Sequence, residues 1–234
     1  ARGAVMLREL DLSNLGQSAI PVLTTLVIVL ISLTFHEFAH GWMAMKLGDK
    51  TAKERGRLSL NPLAHHDPIG FICMLFFGFG WARPVPVDTR NFKHPKRDMA
   101  FTGLAGPIAN FLLAFVIMIP YVILARLVNG GKISVSTEFQ YNLIVAFVQF
   151  VWNFHYMNLT LALFNFIPVP PLDGSRVLYS FLPDKAYFGV MKYERYISLA
   201  LMVLLAVGVL DKPLSIASGA VSDGMLWLIT RVIR

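Results

Sequence analysis

The stretch Pro21-Val-Leu-Thr-Thr-Leu-Val-Ile-Val-Leu-Ile-Ser-Leu33 carries no charge and runs directly into Thr34-Phe35-His36-Glu37-Phe38-Ala39-His40. Its reading decides the fold. The apolar run starts at about Ser18 or Pro21, continues to Leu47 and stops at Gly48-Asp49-Lys50, long enough for a membrane helix, which needs roughly 20 residues. Ionisable side chains are costly at that depth and mark functional sites there. Histidines at i and i+4 lie on one helix face, about 40° apart, so both imidazoles reach one metal ion. The glutamate between them projects beside the metal without ligating it, where it can take a proton from bound water. At the helical rise, the step from the middle of this motif to Lys46 is roughly 12 Å. The site is therefore expected inside the hydrocarbon core but nearer one boundary, with water reaching it through a protein-lined cavity.

Composition agrees with a membrane setting. The 234 residues are 56% hydrophobic and 15% charged, against roughly 45–50% and about 25% in soluble domains. A net charge of +7 would suit nucleic acid if it lined one folded face. Here the basic residues fall in short loops between apolar runs, where they set topology and meet anionic lipid, so membrane lipid is expected as a partner and nucleic acid is not. Cys73 is the sole cysteine, which rules out an internal disulfide and a zinc site built from several thiolates. The first apolar run lacks a small-residue cleavage site and reads as a true span rather than a signal peptide. Native residues before Ala1 are expected.

Further spans are expected over about residues 99–128 and 139–166, with a short fourth over 196–210. Composition leaves open whether a last apolar segment, about 214–233, crosses the bilayer. Between the first two spans, residues 71–80 are apolar but too short to cross. They lead into Trp81-Ala82-Arg83-Pro84-Val85-Pro86-Val87, where two prolines forbid helix and alternation suggests extended backbone. A re-entrant hairpin or loop, shielded by protein or water, is expected. The fold class is thus an all-α polytopic membrane protein, a bundle of about five to six transmembrane helices with a short re-entrant β-hairpin after the first span. The chain reads as a single domain over 1–234, with a core over about 20–182 and C-terminal helices over about 187–234. Lys50, Lys53, Arg55, Arg57, Arg83, Arg90, Lys93, Lys96, Arg97 and most other basic residues fall on one side, leaving Arg2, Arg8, Arg126, Lys132 and Lys212 opposite. The basic side is expected to be cytoplasmic, with the N-terminus outside and the active site toward the cytoplasm.

Two histidines need a third protein ligand, which leaves one position for water. Asp173 is the candidate, in Asn165-Phe-Ile-Pro168-Val-Pro170-Pro171-Leu-Asp173-Gly174. The prolines end the third span and force irregular backbone, tolerated at membrane depth only beside a cavity. The first and third spans both end on the basic side, which places Asp173 and the histidines at similar depth. Zn²⁺ with the carboxylates of Asp173 and Glu37 sums to zero charge, whereas the carboxylates alone would be costly in low dielectric. Taken by itself, Asp173-Gly174 reads as a common Asp-Gly turn at the interface; opposite His36-Glu37-Phe38-Ala39-His40 it reads as the ligand. His155, Asn158 and Asn165 recur at helical spacing as either a water-lined face or interhelical partners. His65 and His66 beside Asp67 suit capping or gating near the cytoplasmic side, and His94 a solvated loop.

These residues resemble the site-2 protease family of intramembrane zinc metalloproteases. The resemblance rests on His36-Glu37-Phe38-Ala39-His40, on Gly106-Pro107-Ile108-Ala109-Asn110, and on the Asn165–Gly174 stretch. Gly56-Arg57-Leu58-Ser59-Leu60-Asn61-Pro62, Asp67-Pro68-Ile69-Gly70 and Gly80–Val87 look like the compact subgroup without a PDZ or CBS domain. The resemblance covers about residues 20–182. It implies one Zn²⁺ per chain held by His36, His40 and Asp173, with Glu37 as the catalytic base, three core helices and a membrane β-hairpin whose edge could pair with substrate. It further implies that Asn165 and Asn110 hydrogen-bond an unwound substrate backbone; Asn110 could instead close helix packing beside Gly103 and Gly106. The implied substrates are single-pass transmembrane proteins or signal-peptide remnants, cleaved in or near the membrane segment. The implied setting is multi-pass, in the inner membrane of a prokaryote. A membrane zinc carrier or channel is the alternative from outside enzymes.

Overall fold

The computed structural model describes residues 15–65, 67–70 and 82–233. The expected first span is α1 (Leu15–Lys46), followed by the single turn α2 (Thr51–Glu54) and a 3-10 turn, Pro62–His65. A second 3-10 turn, Thr89–Asn91, precedes α3 (Pro95–Asn129), which contains the expected second span, and α4 (Glu138–Asn165) is the expected third. The short α5 (Gly174–Phe181), α6 (Asp184–Val207) and α7 (Asp211–Val232) complete the order.

Local sequence accounts for the boundaries. Pro95 opens α3 at a position where a missing N–H costs nothing. Thr137 and Gln140 form a reciprocal capping box at the start of α4, each side chain accepting from the other's backbone N–H. Gly208 ends α6 with φ +78°, a left-handed turn that other residues adopt at a cost. The chain bends there by 81° before α7.

α3 is the hub, packed against α1, α4 and α5 and touching α7. Two buried clusters join it to α4 and α7: Met118 and Val122 with Val151 and Ile229, and Ala114 with Leu159 and Met225. On its other side, Gly103, Ala105 and Gly106 are buried, and small residues there let helices approach closely. The outer faces are apolar, with Leu23, Leu112, Val116, Phe139, Leu199 and Val203 all exposed. Such a surface suits lipid as its solvent.

Among the described residues, two helices are long and apolar enough to cross a bilayer, Ile20–Lys46 and Pro95–Asn129, or three if the bent pair Lys185–Val207 and Asp211–Val232 counts as one span. That is fewer than the five to six expected. The difference has a physical source in α4, whose 28 residues are ample in length but interrupted by Gln149, Asn153, His155 and Asn158. His155 spends its two nitrogens on neighbouring helices, at 2.8 Å from the Ala114 carbonyl of α3 and 2.9 Å from Ser222 Oγ of α7. Of the two readings open for His155, this is the interhelical one.

Among the described residues there is also no strand. Residues 82–88 are non-helical and carry no ladder, and the remainder of the expected β-hairpin, residues 71–81, lies outside the described residues, as does His66.

Candidate metal centre

The i,i+4 spacing in α1 stacks the His36 and His40 rings edge to face, 4.6 Å apart. Asp173 stands at the start of α5, and its Oδ2 lies 3.0 Å from His36 Nε2 and 3.3 Å from His40 Nε2. The three ligand atoms converge on one point, as expected of two histidines and a carboxylate sharing a metal ion. His36 and Glu37 are buried.

The other nitrogen of each imidazole is already committed. His40 Nδ1 lies 2.6 Å from the Thr102 carbonyl, which can only accept, so that nitrogen bears the hydrogen and Nε2 turns its lone pair inward. His36 reaches the same state through a relay. The Asn158 amide donates to the Phe154 carbonyl at 2.9 Å, which leaves Asn158 Oδ1 to accept. Asn110 Nδ2 donates to that oxygen at 2.8 Å and to the Ser32 carbonyl at 3.1 Å. Asn110 Oδ1 then faces His36 Nδ1 at 2.6 Å and accepts its hydrogen. Both Nε2 atoms are thereby left for a metal. The donor set fits zinc, because neutral, oriented imidazoles and one carboxylate leave a coordination position for water.

Glycines make the space. A Cβ on Gly106 would meet His40 Cε1 at 2.6 Å and His36 Cε1 at 2.7 Å, so only glycine fits between α3 and the two rings. A Cβ on Gly174 would collide with the Phe166 and Ile167 carbonyls. The Asp173-Gly174 pair thus packs α5 against the end of α4, and in doing so aims the Asp173 carboxylate at α1.

Glu37 Oε2 accepts from the Val85 N–H at 2.8 Å, which ties the residue beside the candidate metal ligands to the extended segment 82–88. That segment is anchored further along. Buried Asp49, just past α1, accepts from Asp88 N–H at 2.7 Å, Asn91 Nδ2 at 2.8 Å and Thr51 N–H at 3.0 Å. Burial acts to raise the Asp49 carboxyl, but the hydrogen bonds from Thr51, Asn91 and Asp88 outweigh it and hold the group below the ordinary carboxylate range. Arg57 adds a bond to the Arg83 carbonyl at 2.7 Å.

Of the site residues named from sequence, His36, His40 and Asp173 are brought together, with Glu37 beside them. Asn110 is fully buried behind His36, with both amide hydrogens and its oxygen engaged inside the protein. Asn165 lies at the last position of α4, its amide donating to the Leu161 carbonyl at 3.0 Å. His65 is buried against the Ser59 carbonyl in the loop after α2, at 2.7 Å. Three contributors went unnamed as parts of the site: the Thr102 carbonyl, the Val85 N–H and Gly106 as the space for the rings. The first two are backbone groups with no side-chain signal. Gly106 had a signal in its place within Gly106–Asn110, but its partners were not visible there.

The site and its helical setting define the class: a membrane protein with a His-His-Asp group that could hold a metal ion and an adjacent glutamate. Residues 24–210 match the model of Peptidase family M50, the site-2 protease family, and the chain belongs to that family of metalloproteases. YwhC of Bacillus subtilis (strain 168), provisionally named a zinc metalloprotease, is 38% identical over 76% of this chain and 78% of its own length. Rip2 of Mycolicibacterium smegmatis (strain ATCC 700084 / mc(2)155), with the same provisional name, is 27% identical over 78% of this chain, and the match covers 66% of Rip2. MJ0392 of Methanocaldococcus jannaschii, named a zinc metalloprotease, is 28% identical over 76% of this chain and 41% of its own length. No solved structure matches the chain.

Proposed function

We propose that this chain is an intramembrane zinc metalloprotease that hydrolyses a peptide bond in or near a transmembrane segment of its substrate. One observation carries the reading: the Nε2 atoms of His36 and His40, on an apolar helix that also carries Glu37, converge with the Oδ2 of Asp173 on one point. Each chain holds one zinc ion through these three atoms. Bound there, zinc supplies Lewis acidity and lowers the pKa of a water in the remaining position.

The protein's own groups do the rest. Glu37 accepts the proton of the attacking water at its carboxylate and returns it to the leaving amine nitrogen. Thr102 and Asn110 keep both imidazoles in the metal-binding tautomer. Asn165, at the end of α4, hydrogen-bonds an unwound substrate backbone in this reading, whereas Asn110 acts from behind His36. Substrates are single-pass membrane proteins or signal-peptide-like segments, which must unwind locally because a helix hides its peptide bonds. The excess of Lys and Arg on one side supports a multi-pass topology in the inner membrane of a prokaryote, with the active site toward the cytoplasm.

The test combines metal content with cleavage of a single-pass model substrate in vesicles. Wild type is expected to hold about one zinc and to cleave. Glu37→Gln should keep the zinc and lose cleavage, while His36→Ala and Asp173→Ala should lose both. Turnover by Glu37→Gln would overturn the role of that residue. Zinc flux across the vesicle that survives Glu37→Gln would favour a carrier or channel instead.

A further inference from the structure

Arg57 leaves the end of α2 in a fixed direction. Gly56 there takes φ +64°, a left-handed turn that favours glycine. The Gly56 N–H donates to the Lys53 carbonyl at 3.0 Å and the Arg57 N–H to the Ala52 carbonyl at 2.8 Å, the paired bonds that close a helix end of this kind. Ala52 beneath them is fully buried. From that start the guanidinium reaches the extended segment: Arg57 Nη2 donates to the Arg83 carbonyl at 2.7 Å and lies 3.4 Å from that of Pro84.

The stretch 83–86 needs such a partner. Pro84 and Pro86 have no backbone hydrogen, so only Arg83 and Val85 can donate from it. The Arg83 N–H goes to the His65 carbonyl at 2.9 Å, and the Val85 N–H to Glu37. Its carbonyls are what remains to hold it, and a charged donor holds a carbonyl more strongly than a neutral one. Arg83 is thus fixed at both of its backbone groups. Beyond it, the side chain of Val85 is seated on α1. A Cβ on Gly41, one helical turn after Glu37 and on the same face, would stand 3.1 Å from Val85 Cγ1 and 3.3 Å from Leu58 Cδ1. With Arg83 held on one side and the buried isopropyl group on the other, the Val85 N–H is presented to Glu37. Burial lowers the Arg57 pKa, as does the Arg83 charge beside it, and Glu37 is the opposite charge that counters them. The guanidinium stays charged throughout, as arginine does in proteins.

We propose that Arg57 is a positioning residue for Glu37, acting through the Arg83 carbonyl and the Val85 N–H to hold the carboxylate in the orientation that proton transfer needs. The role rests on the protease reading given above. Among the described residues no hydrogen bond joins Arg57 to Glu37, so its influence reaches the carboxylate through the backbone of 83–85 and through the attraction of opposite charges. The bond from Val85 engages Glu37 Oε2 and leaves Oε1 to take the proton.

The experiment compares wild type, Arg57→Ala, Arg57→Lys and Lys53→Ala as purified full-length chains. Three quantities are read: zinc content, exchange of the Val85 amide in the metal-free chain, and kcat and KM on a single-pass model substrate in vesicles. In Arg57→Ala, Val85 exchange should speed up at least about tenfold, the usual worth of a hydrogen bond to a charged group, while zinc content holds. Its kcat should fall roughly 10- to 100-fold, as a small displacement of a catalytic group does, with KM unchanged because substrate is not touched. Arg57→Lys, whose ammonium can donate to the Arg83 carbonyl, should recover most of both losses. Lys53→Ala removes a neighbouring charge outside this chain of contacts and should match wild type. Wild-type exchange and kcat in Arg57→Ala would overturn the proposal. So would an equal fall in kcat in Lys53→Ala, which marks a general charge effect, or a loss of zinc in Arg57→Ala that Arg57→Lys does not restore, which marks a structural one. A wild type that binds zinc but cleaves nothing would instead sink the protease reading on which this role depends.

Discussion

Asn110 stands behind one of the candidate metal ligands, with its oxygen and both amide hydrogens engaged inside the protein. Its oxygen fixes the His36 ring, and its amide is fixed in turn by Ser32 and by Asn158. Partners of this kind typically contribute 10–100-fold in metal affinity. Asn110→Ala should therefore weaken zinc binding by roughly that factor, measured by competition with a chelating dye. A loss confined to substrate affinity, with zinc unchanged, would instead return Asn110 to the substrate side. Gly106→Ala tests the space rather than the bonds. Its new methyl would stand within 2.7 Å of both imidazoles, so at least one ring must turn and its Nε2 must leave the shared point. Zinc content should fall sharply while the helix content read by circular dichroism stays near wild type. These roles were only partly legible. His36, Glu37 and His40 could be read because one helix carries all three at a fixed spacing. The Thr102 carbonyl could not, since a backbone acceptor on another helix leaves no mark in residue type.

At the scale of elements, segment 82–88 is held to α1 at two points, Glu37 to Val85 and Asp49 to Asp88. Asp49 carries the second anchor, and its depressed carboxyl fixes the pH behaviour. A group whose folded pKa lies below its unfolded value stabilises above the unfolded value, near 3.9, and loses that contribution as pH falls through the folded one. Asp88 also stays charged over most of this window, because its side-chain hydrogen bond with Arg90 draws it down to about 2. Exchange protection of the Val85 and Asp88 amides, corrected for intrinsic rates, should therefore be flat from neutral pH to about 5 and decline below about 4. Asp49→Ala should remove that decline and lower protection at all pH values, since the Thr51 N–H and hydroxyl, the Asp88 N–H and the Asn91 amide all lose their acceptor. Unchanged protection in this variant would show that other contacts hold the segment. The extended backbone itself was legible in Pro84 and Pro86. Its attachment to Glu37 was not, because it joins residues 48 apart through a main-chain hydrogen.

Across the whole molecule, α3 divides two regions of different chemistry. Toward α4 and α7 it packs Met118, Val122 and Ala114; toward α1 and α5 it presents Gly103, Gly106 and Asn110. His155 ties the first region together across three helices. Hydrogen bonds between membrane helices average about 0.6 kcal/mol and reach about 1.7. His155→Leu should thus cost about 1 kcal/mol and lower Tm by about 2–4 °C, with zinc content preserved. Loss of zinc in that variant would mean that the two regions are coupled through α4. The spans were legible wherever apolar residues ran unbroken, as in α1 and α3. They were less so in α4, where the side chains that join helices also dilute the hydropathy by which a span is recognised.

The bond between Glu37 and Val85 also constrains how this chain can change over generations. Val85 stands between Pro84 and Pro86, and proline has no backbone hydrogen to give. Shortening or lengthening the stretch by one residue would bring a ring nitrogen opposite the carboxylate and leave it without its donor, even though composition had hardly altered. Substitution at Val85 can be conservative or drastic and still leave the N–H in place. An insertion or deletion beside it cannot, so the bond constrains length at this point more tightly than it constrains side-chain identity.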